Sequence, residues 1–289
     1  MIAGVLLGLG ASASWALANV AVARSARAVG SPRALLWAQL VGIAVLAEVA
    51  MPLDFRPVPI GATHVWWMLL AGAAALLAYG CLFYALEHGR LSIVVPIMSS
   101  WAVISSGISV LAFGERLRGG QLVGAALVVA GVMLVSRYAQ ADAGAGAAPG
   151  GPRPRWLLAS VGTAIGFGIL IPAMARLVPA TGRLGSVCVI YAADIALGLP
   201  LALAFKIPLG PPPLRAWGAV ALAGIFETAG FVCITLGAAV APLAVVSPLA
   251  SLASAMTVTY AWLVLRERPG PAAAIGAALA AAGVVILAL

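Results

Sequence analysis

The sequence predicts an all-α, polytopic membrane protein in which ten transmembrane helices form two inverted five-helix repeats. Three observations predict this fold class: the composition, ten long apolar stretches, and a repeat of the chain at a fixed offset. Of 289 residues, 64% are hydrophobic and 8% are charged, whereas soluble domains have about 45–50% apolar and about 25% charged residues. The composition therefore excludes a soluble enzyme, a nucleic-acid binder and a disordered chain.

Ten apolar stretches, bounded by charged residues, proline or glycine, are each long enough for a helix that crosses a bilayer. They are continuously apolar rather than alternating, which favours helices over strands. These spans cover residues 2–23, 34–51, 64–87, 91–113, 119–137, 156–178, 184–205, 214–236, 241–265 and 270–289. Residues 138–155 are rich in Gly, Ala and Pro, as in a flexible linker. The sequence thus predicts a first repeat over 1–137 and a second over 156–289.

The repeat is seen when the chain is aligned with itself at an offset of 152 residues, without gaps. Residues 64–135 and 216–287 are identical at 18 of 72 positions. The pairs least expected by chance are Cys81 with Cys233, Pro96 with Pro248, and Glu115-Arg116 with Glu267-Arg268. Because five spans are an odd number, the second copy enters the membrane in the opposite sense. Inverted repeats of this kind place a binding site near the midplane and permit alternating access.

This pattern resembles the drug/metabolite transporter superfamily and, within it, the EamA-type exporters. The resemblance covers the whole chain and is most specific in the Glu-Arg turns after the fourth and ninth spans (Gly114–Leu117 and Arg266–Pro269) and in the prolines early in those spans. It implies a ten-helix basket with a central cavity, and export of amino acids or related metabolites. The aromatic amino acid exporters are one branch. The superfamily's four-helix multidrug members carry an acid in the first helix, where Asn19 is the most polar central residue here, which disfavours strict drug/proton antiport.

Loop charges predict the orientation. If the N-terminus lies outside, the loops after the odd-numbered spans are cytoplasmic and hold 11 of the 16 basic residues, and the opposite loops hold 5. The positive-inside rule then places both termini outside. Together with the resemblance, this predicts a multi-pass protein of the bacterial inner membrane. Its partners are the lipid bilayer and a small-molecule substrate, with no nucleic acid. A monomer is compatible with the sequence, which leaves the oligomeric state open.

Two acidic residues fall at the centres of spans. Asp194 lies in the seventh span and Glu227 in the eighth, and their counterparts in the first copy are Gly42 and Ala75. A charge at the bilayer centre costs about 2.5–3.5 kcal/mol, and such residues are functional candidates by default. One interpretation is that they bind a substrate ammonium group or a coupling proton. The other is that they are structural carboxyl groups, hydrogen-bonded to a neighbouring Ser, Thr or Tyr.

Polar and aromatic residues near the centres of other spans are further candidates. Tyr191 shares a helix face with Asp194, and an aromatic ring beside an acid suits an organic cation or ordinary packing. Pro96 and Pro248 would bend their helices or lie in the first turn. Hydroxyl side chains line cavities but also join helices in lipid. The remaining candidates are Trp15, Asn19, Tyr79, Ser100, Trp101, Ser105, Ser251 and Ser254.

Several function classes lack support in the sequence. No Lys or Arg lies at the centre of a span, which disfavours phosphorylated substrates. There is no HExxH motif and no assignable nucleophile–base pair, and the three cysteines lie in apolar runs. We therefore expect no enzyme activity, cofactor, metal site or disulfide. The sequence predicts an exporter of small metabolites, most readily amino acids. A lipid or lipid-linked sugar flippase, a multidrug or amine exporter and a non-transporting membrane scaffold are the alternatives.

Overall fold

The structure, a computed structural model, describes residues 2–54, 61–113, 119–134 apart from positions 121, 125, 128 and 132, 155–240, 250, 252–263 and 270–288. The helices for which it gives bounds are α1 Ile2–Val29, α2 Ser31–Asp54, α3 Ala62–His88, α4 Leu91–Met98, α5 Trp101–Phe113, α6 Arg155–Thr181, α7 Arg183–Ala204, α8 Leu214–Val240, α9 Ala253–Leu263 and α10 Pro271–Ala288; described positions within 119–134 are also helical. No strand occurs in these ranges. Within the described residues, six helices (α1, α2, α3, α6, α7 and α8) are long and apolar enough to cross a membrane. The predicted all-α, polytopic fold class is confirmed.

The predicted fourth span is two helices rather than one. Pro96 lies inside α4, which ends at Met98, and a turn at residues 99–100 separates it from α5. Proline has no N–H to donate within a helix, and the hydroxyl groups that follow bind carbonyl groups of the same turn. Ser99 Oγ donates to the carbonyl of Val95 at 2.8 Å, and Ser100 Oγ to that of Ile97 at 2.7 Å. The equivalent residues Pro248 and Ser251 lie outside the described residues.

Equivalent helices make the same contacts in both directions between the two repeats. The most extensive packing is between α1 and α8 and between α3 and α6, which are one pair with the copies exchanged. In the first pair, a Cβ atom built on Gly10 would lie 3.3 Å from Cys233 Sγ. In the second, a Cβ on Gly162 would lie 2.7 Å from Cys81 Sγ. Gly162 comes 152 positions after Gly10, and Cys233 comes 152 positions after Cys81. The two contacts are therefore equivalent, and a pseudo-two-fold axis relates the halves.

An aromatic pair repeats in the same way. The rings of Trp15 and Phe231 meet edge to face with centroids 5.5 Å apart, and those of Phe167 and Tyr79 meet edge to face at 5.2 Å. At the 152-residue offset, Trp15 is equivalent to Phe167 and Tyr79 to Phe231. Edge-to-face packing is a favoured geometry for such rings, and it is kept although both positions have changed residue type.

The sense of the second repeat follows from α2 and α7, which are equivalent helices. Gln39 of α2 binds Asp194 of α7, and Gly42 of α2 meets Tyr191 of α7. The residue number therefore rises along α2 as it falls along α7, so the two helices are antiparallel. Equivalent helices that run in opposite directions are the geometry of the predicted inverted repeat.

Candidate substrate site between the repeats

A cavity of about 560 Å³ lies between α2, α3 and α7. Pockets that bind small molecules are typically about 300–1,000 Å³. The cavity begins where α2 starts and α3 ends, at Ser31, Glu87 and His88, and it reaches Gln39 and Asp194 at the level of the pseudo-two-fold axis. Its walls are mainly apolar; they include Leu35, Leu36, Leu76, Ile195 and Leu199. A cavity with apolar walls and a polar inner end, called here the floor, suits an amphipathic molecule.

The floor is formed by an amide and a carboxyl group. Asp194 and Gln39 are only 2% and 4% exposed, and the side-chain N–H of Gln39 donates to Asp194 Oδ2. The other oxygens of this pair, Asp194 Oδ1 and Gln39 Oε1, are buried and have no hydrogen-bond partner in the described part of the protein. Buried polar atoms are normally paired. These two acceptors therefore lack the partners that buried oxygens normally have, beside a cavity that their residues line.

A second, much smaller cavity lies on the other side of Gln39. It has a volume of about 10 Å³ and is lined by Tyr79, Tyr191 and Glu227, among others. The hydroxyl of Tyr79 donates to Glu227 Oε1 over a long 3.4 Å. A space of this size holds at most about one water molecule. The two predicted acidic residues thus have different surroundings, because Asp194 borders a cavity wide enough for an organic substrate and Glu227 does not.

Five aromatic rings pack against one another at the centre of the molecule. The rings of Tyr79 and Tyr191 lie 5.9 Å apart and those of Tyr191 and Phe231 6.4 Å apart, all edge to face. With the Trp15–Phe231 and Tyr79–Phe167 pairs, they form one continuous chain across the pseudo-two-fold axis. Three of the residues predicted for the cavity, Trp15, Tyr79 and Tyr191, belong to this chain. None of them lines the wide cavity.

The other predicted site residues serve contacts between or within helices. Asn19 donates to Thr257 Oγ1 at 3.2 Å and joins α1 to α9. Ser254 is hydrogen-bonded to Ser99 and joins α9 to the end of α4. Trp101 is half-buried and packs against the core cluster, and Ser105 is half-buried in α5. None of the predicted residues at positions 19, 96, 100, 101, 105 and 254 lines the wide cavity.

The mouth of the cavity carries a hydrogen-bonded group that the sequence analysis did not identify. The backbone N–H of Ser31 donates to the carboxylate of Glu87 at 2.9 Å, and the Ser31 hydroxyl binds the same oxygen. The Arg27 guanidinium donates to the carbonyls of Glu87 and Gly89 at 3.2 and 2.8 Å. His88 stacks on Tyr84 with ring centroids 4.3 Å apart. These contacts hold the ends of α1, α2 and α3 together.

The equivalent region at the other end of the molecule is closed. Leu76, Gly198 and Leu35 line the wide cavity, and their counterparts are Thr228, Leu46 and Val187. These counterparts are 0%, 0% and 1% exposed. The ring of Tyr191 also covers Gly42, because a Cβ atom there would lie 2.8 Å from Tyr191 Cε2 and 2.7 Å from Thr228 Oγ1. In the described part of the chain, the site is thus open at one end and packed at the other.

Comparison with known proteins identifies the family. The model of the EamA-like transporter family matches residues 2–137 and again residues 154–289. The chain belongs to the EamA-like transporter family. The resemblance inferred from the Glu-Arg turns and the repeat is therefore confirmed, and the protein is a membrane transporter of small molecules. The two matches begin 152 residues apart (154 − 2), which is the offset of the internal repeat.

Two further similarities concern parts of the sequence and the fold. An uncharacterized protein of Methanocaldococcus jannaschii is 38% identical over 66 residues, which are 22% of this chain; the chain spans about half of that protein, 48% of its length. A protein of known crystal structure superimposes with a TM-score of 0.62 over 98% of this chain and 95% of its own, at 19% identity. The second similarity concerns the fold alone.

Proposed function

We propose that this transporter exports small zwitterionic or amphipathic metabolites, with amino acids as the substrate class, across the bacterial inner membrane. The observation that carries the proposal is the cavity of about 560 Å³, which ends at the buried Asp194 and Gln39. Its apolar walls suit a hydrocarbon or aromatic side chain, and its unpaired acceptors suit an amino group. No Lys or Arg is among the described residues that line this cavity, which disfavours phosphorylated substrates.

The proposed mechanism is alternating access between the inverted repeats. Because the same contacts occur on both sides of the axis, a rocking of the halves would open the packed region around Leu46 and Thr228 and close the wide cavity. The excess of basic residues in the loops on the side of Arg27, which adjoins the mouth, supports a cytoplasmic mouth. A substrate would then load from the cytoplasm, as export requires.

The two acidic residues take different roles in this proposal. Asp194 contacts the substrate, because it borders the cavity that has room for one. Glu227 exchanges a coupling proton, because its cavity holds no more than about one water molecule and it accepts a hydrogen bond from Tyr79. Intramembrane acidic residues in transporters commonly serve such proton relays.

Transport in reconstituted vesicles tests the proposal. The wild-type protein, Asp194→Asn and Glu227→Gln would be assayed for flux of a panel of amino acids at several pH values, with equal amounts of folded protein. We expect Asp194→Asn to lose most of the flux and Glu227→Gln to lose the pH dependence. Wild-type flux in Asp194→Asn, together with an unchanged pH dependence in Glu227→Gln, would refute their roles. The absence of flux for every amino acid, amine and lipid tested would refute the proposed function.

A lipid or lipid-linked sugar flippase is the second candidate, for one specific reason. Leu199, Leu201 and Phe205 line the wide cavity and are 37%, 51% and 76% exposed. An apolar rim that faces outward in a membrane protein would admit an acyl chain from the side. Transfer of fluorescent phospholipids between leaflets, measured in the same vesicles, separates this function from amino acid export.

A further inference from the structure

Gln39 takes part in the site although it was not a candidate in the sequence. Among the described residues that line the wide cavity, Gln39 alone also lines the small cavity beside Glu227. Its side-chain N–H holds one oxygen of Asp194, so the second oxygen of that carboxyl group is kept in place. Its own Oε1 atom is buried without a partner in the part of the chain that the structure describes.

We propose that Gln39 and Asp194 together bind the ammonium group of the substrate through its N–H groups. Asp194 Oδ1 supplies the charged acceptor and Gln39 Oε1 the neutral one, so the pair selects a protonated primary amine. The apolar remainder of the substrate then lies toward the mouth, between Leu35 and Leu76. This inference deepens the proposed function, on which it rests, by assigning the recognition of the amino group to a named pair.

The internal repeat supports a functional rather than a structural role for this pair. Gln39 is equivalent to Tyr191 and Asp194 to Gly42, so the Gln39–Asp194 contact and the Tyr191–Gly42 contact are the same contact in the two halves. In one half an aromatic ring packs on a glycine and closes the space. In the other, the residues Gln39 and Asp194 line the open cavity. The helices can therefore cross with an aromatic ring packed on a glycine. The polar pair occurs only at the crossing position that borders the wide cavity.

The aromatic residues do not offer an alternative cation site at the floor. A quaternary ammonium group is bound by the faces of aromatic rings. Tyr79 and Tyr191 line the small cavity rather than the wide one, and Tyr84, which does line the wide one, is stacked on His88. A cation without N–H groups would thus leave both floor acceptors unpaired, which disfavours its binding. Selection for N–H groups follows from the geometry of the floor.

The test measures binding to the purified full-length protein in detergent by calorimetry. The probes are phenethylamine, its N,N,N-trimethyl derivative, which has the same charge but no N–H, and 3-phenylpropionate, which has no amine. The variants are Gln39→Leu and the exchange Gln39→Glu/Asp194→Asn, which keeps one amide and one carboxyl group. Leu40→Ala is the matched control, because Leu40 adjoins Gln39 on α2 but does not line the cavity.

We expect the wild type and Leu40→Ala to bind phenethylamine at least about tenfold more tightly than the trimethyl derivative, as for the loss of a hydrogen bond to a charged group. Gln39→Leu should lose most of this preference, and the exchanged pair should keep it. 3-Phenylpropionate should bind to none of them.

Equal binding of the two amines to the wild type, no binding of either, or an unchanged preference in Gln39→Leu would overturn the inference. If Gln39→Leu does not fold, the exchanged pair decides, and its failure to prefer the primary amine counts against the inference. Amino acid flux in vesicles without an N–H preference would refute the amine site alone. An N–H preference without any flux would refute export while the amine site stands.

Discussion

Gly166 lies at a close approach of α3 and α6, where one added methyl group should be costly. A Cβ atom on Gly166 would lie 2.5, 2.6 and 2.7 Å from the N, Cα and Cβ atoms of Ala78. Carbon atoms pack best at about 3.5–4.0 Å, and two of the three atoms belong to the backbone and cannot rotate away. Gly166→Ala therefore requires α3 and α6 to separate by about 1 Å. Forced overpacking of this kind costs about 1–3 kcal/mol.

Thermal unfolding of the purified protein in detergent measures this cost. A loss of about 1–3 kcal/mol corresponds to a fall in Tm of several degrees. Gly80→Ala is the matched control, because Gly80 lies in α3, the partner helix of this crossing, and a Cβ there would meet nothing within 4 Å. The control should keep its Tm or raise it, since alanine favours a helix over glycine by about 1 kcal/mol. Equal Tm values for the two variants would show that the α3–α6 crossing is not limited by the size of residue 166.

Three further predictions concern other contacts. A double-mutant cycle of Asn19→Ala and Thr257→Ala should give a coupling energy of about 0.6 kcal/mol and no more than about 1.7 kcal/mol, as for other hydrogen bonds between membrane helices. No coupling in unfolding titrations would mean that the 3.2 Å contact does not stabilise the α1–α9 packing. Glu87→Ala should lower the free energy of unfolding by about 0.5–2 kcal/mol, as for the loss of a helix cap, because Ser31 at the start of α2 loses its acceptor. Glu87→Gln keeps an acceptor oxygen and should retain most of that stability in the same assay. Trp101→Ala should lower Tm without changing substrate preference in transport assays, because Trp101 packs on the core and does not line the wide cavity; a larger loss for bulky than for small substrates would instead favour the cavity role expected from the sequence.

The fold could be predicted because apolar length and an internal repeat are properties that one sequence contains. The offset that pairs Cys81 with Cys233 also pairs the contacts those residues make with Gly162 and Gly10. The break between α4 and α5 was not predicted. Pro96 indicated a bend, but the turn also depends on hydroxyl groups that bind carbonyls within it, and serine in an apolar span has several other uses.

The candidate site could be predicted only in part. A charge at the centre of a span is costly enough to stand out, which identified Asp194 and Glu227. Gln39 is uncharged, and in an apolar span it gives a weaker signal. Its equivalence to Tyr191 was available in the sequence, but that equivalence indicates a site only once α2 and α7 are known to be antiparallel and in contact. The aromatic candidates lie at the centre of the molecule, but a position near the centre of a span does not tell whether a ring borders a cavity or another ring.

The crossings of α3 with α6 and of α1 with α8 show how a duplicated chain can lose internal similarity and keep its symmetry. At the first crossing the small residue is Gly166 on α6, and it faces Ala78 on α3. At the second, the equivalent of Gly166 is Ser14, and the glycine is Gly230 on the opposite helix, against Trp15. What the two halves share here is a limit on the combined bulk of the two helices, which either partner can meet. Each crossing joins one helix from each copy, so a larger residue on one helix can be offset by a smaller one on the other, and two halves with few identities can still pack about a pseudo-two-fold axis.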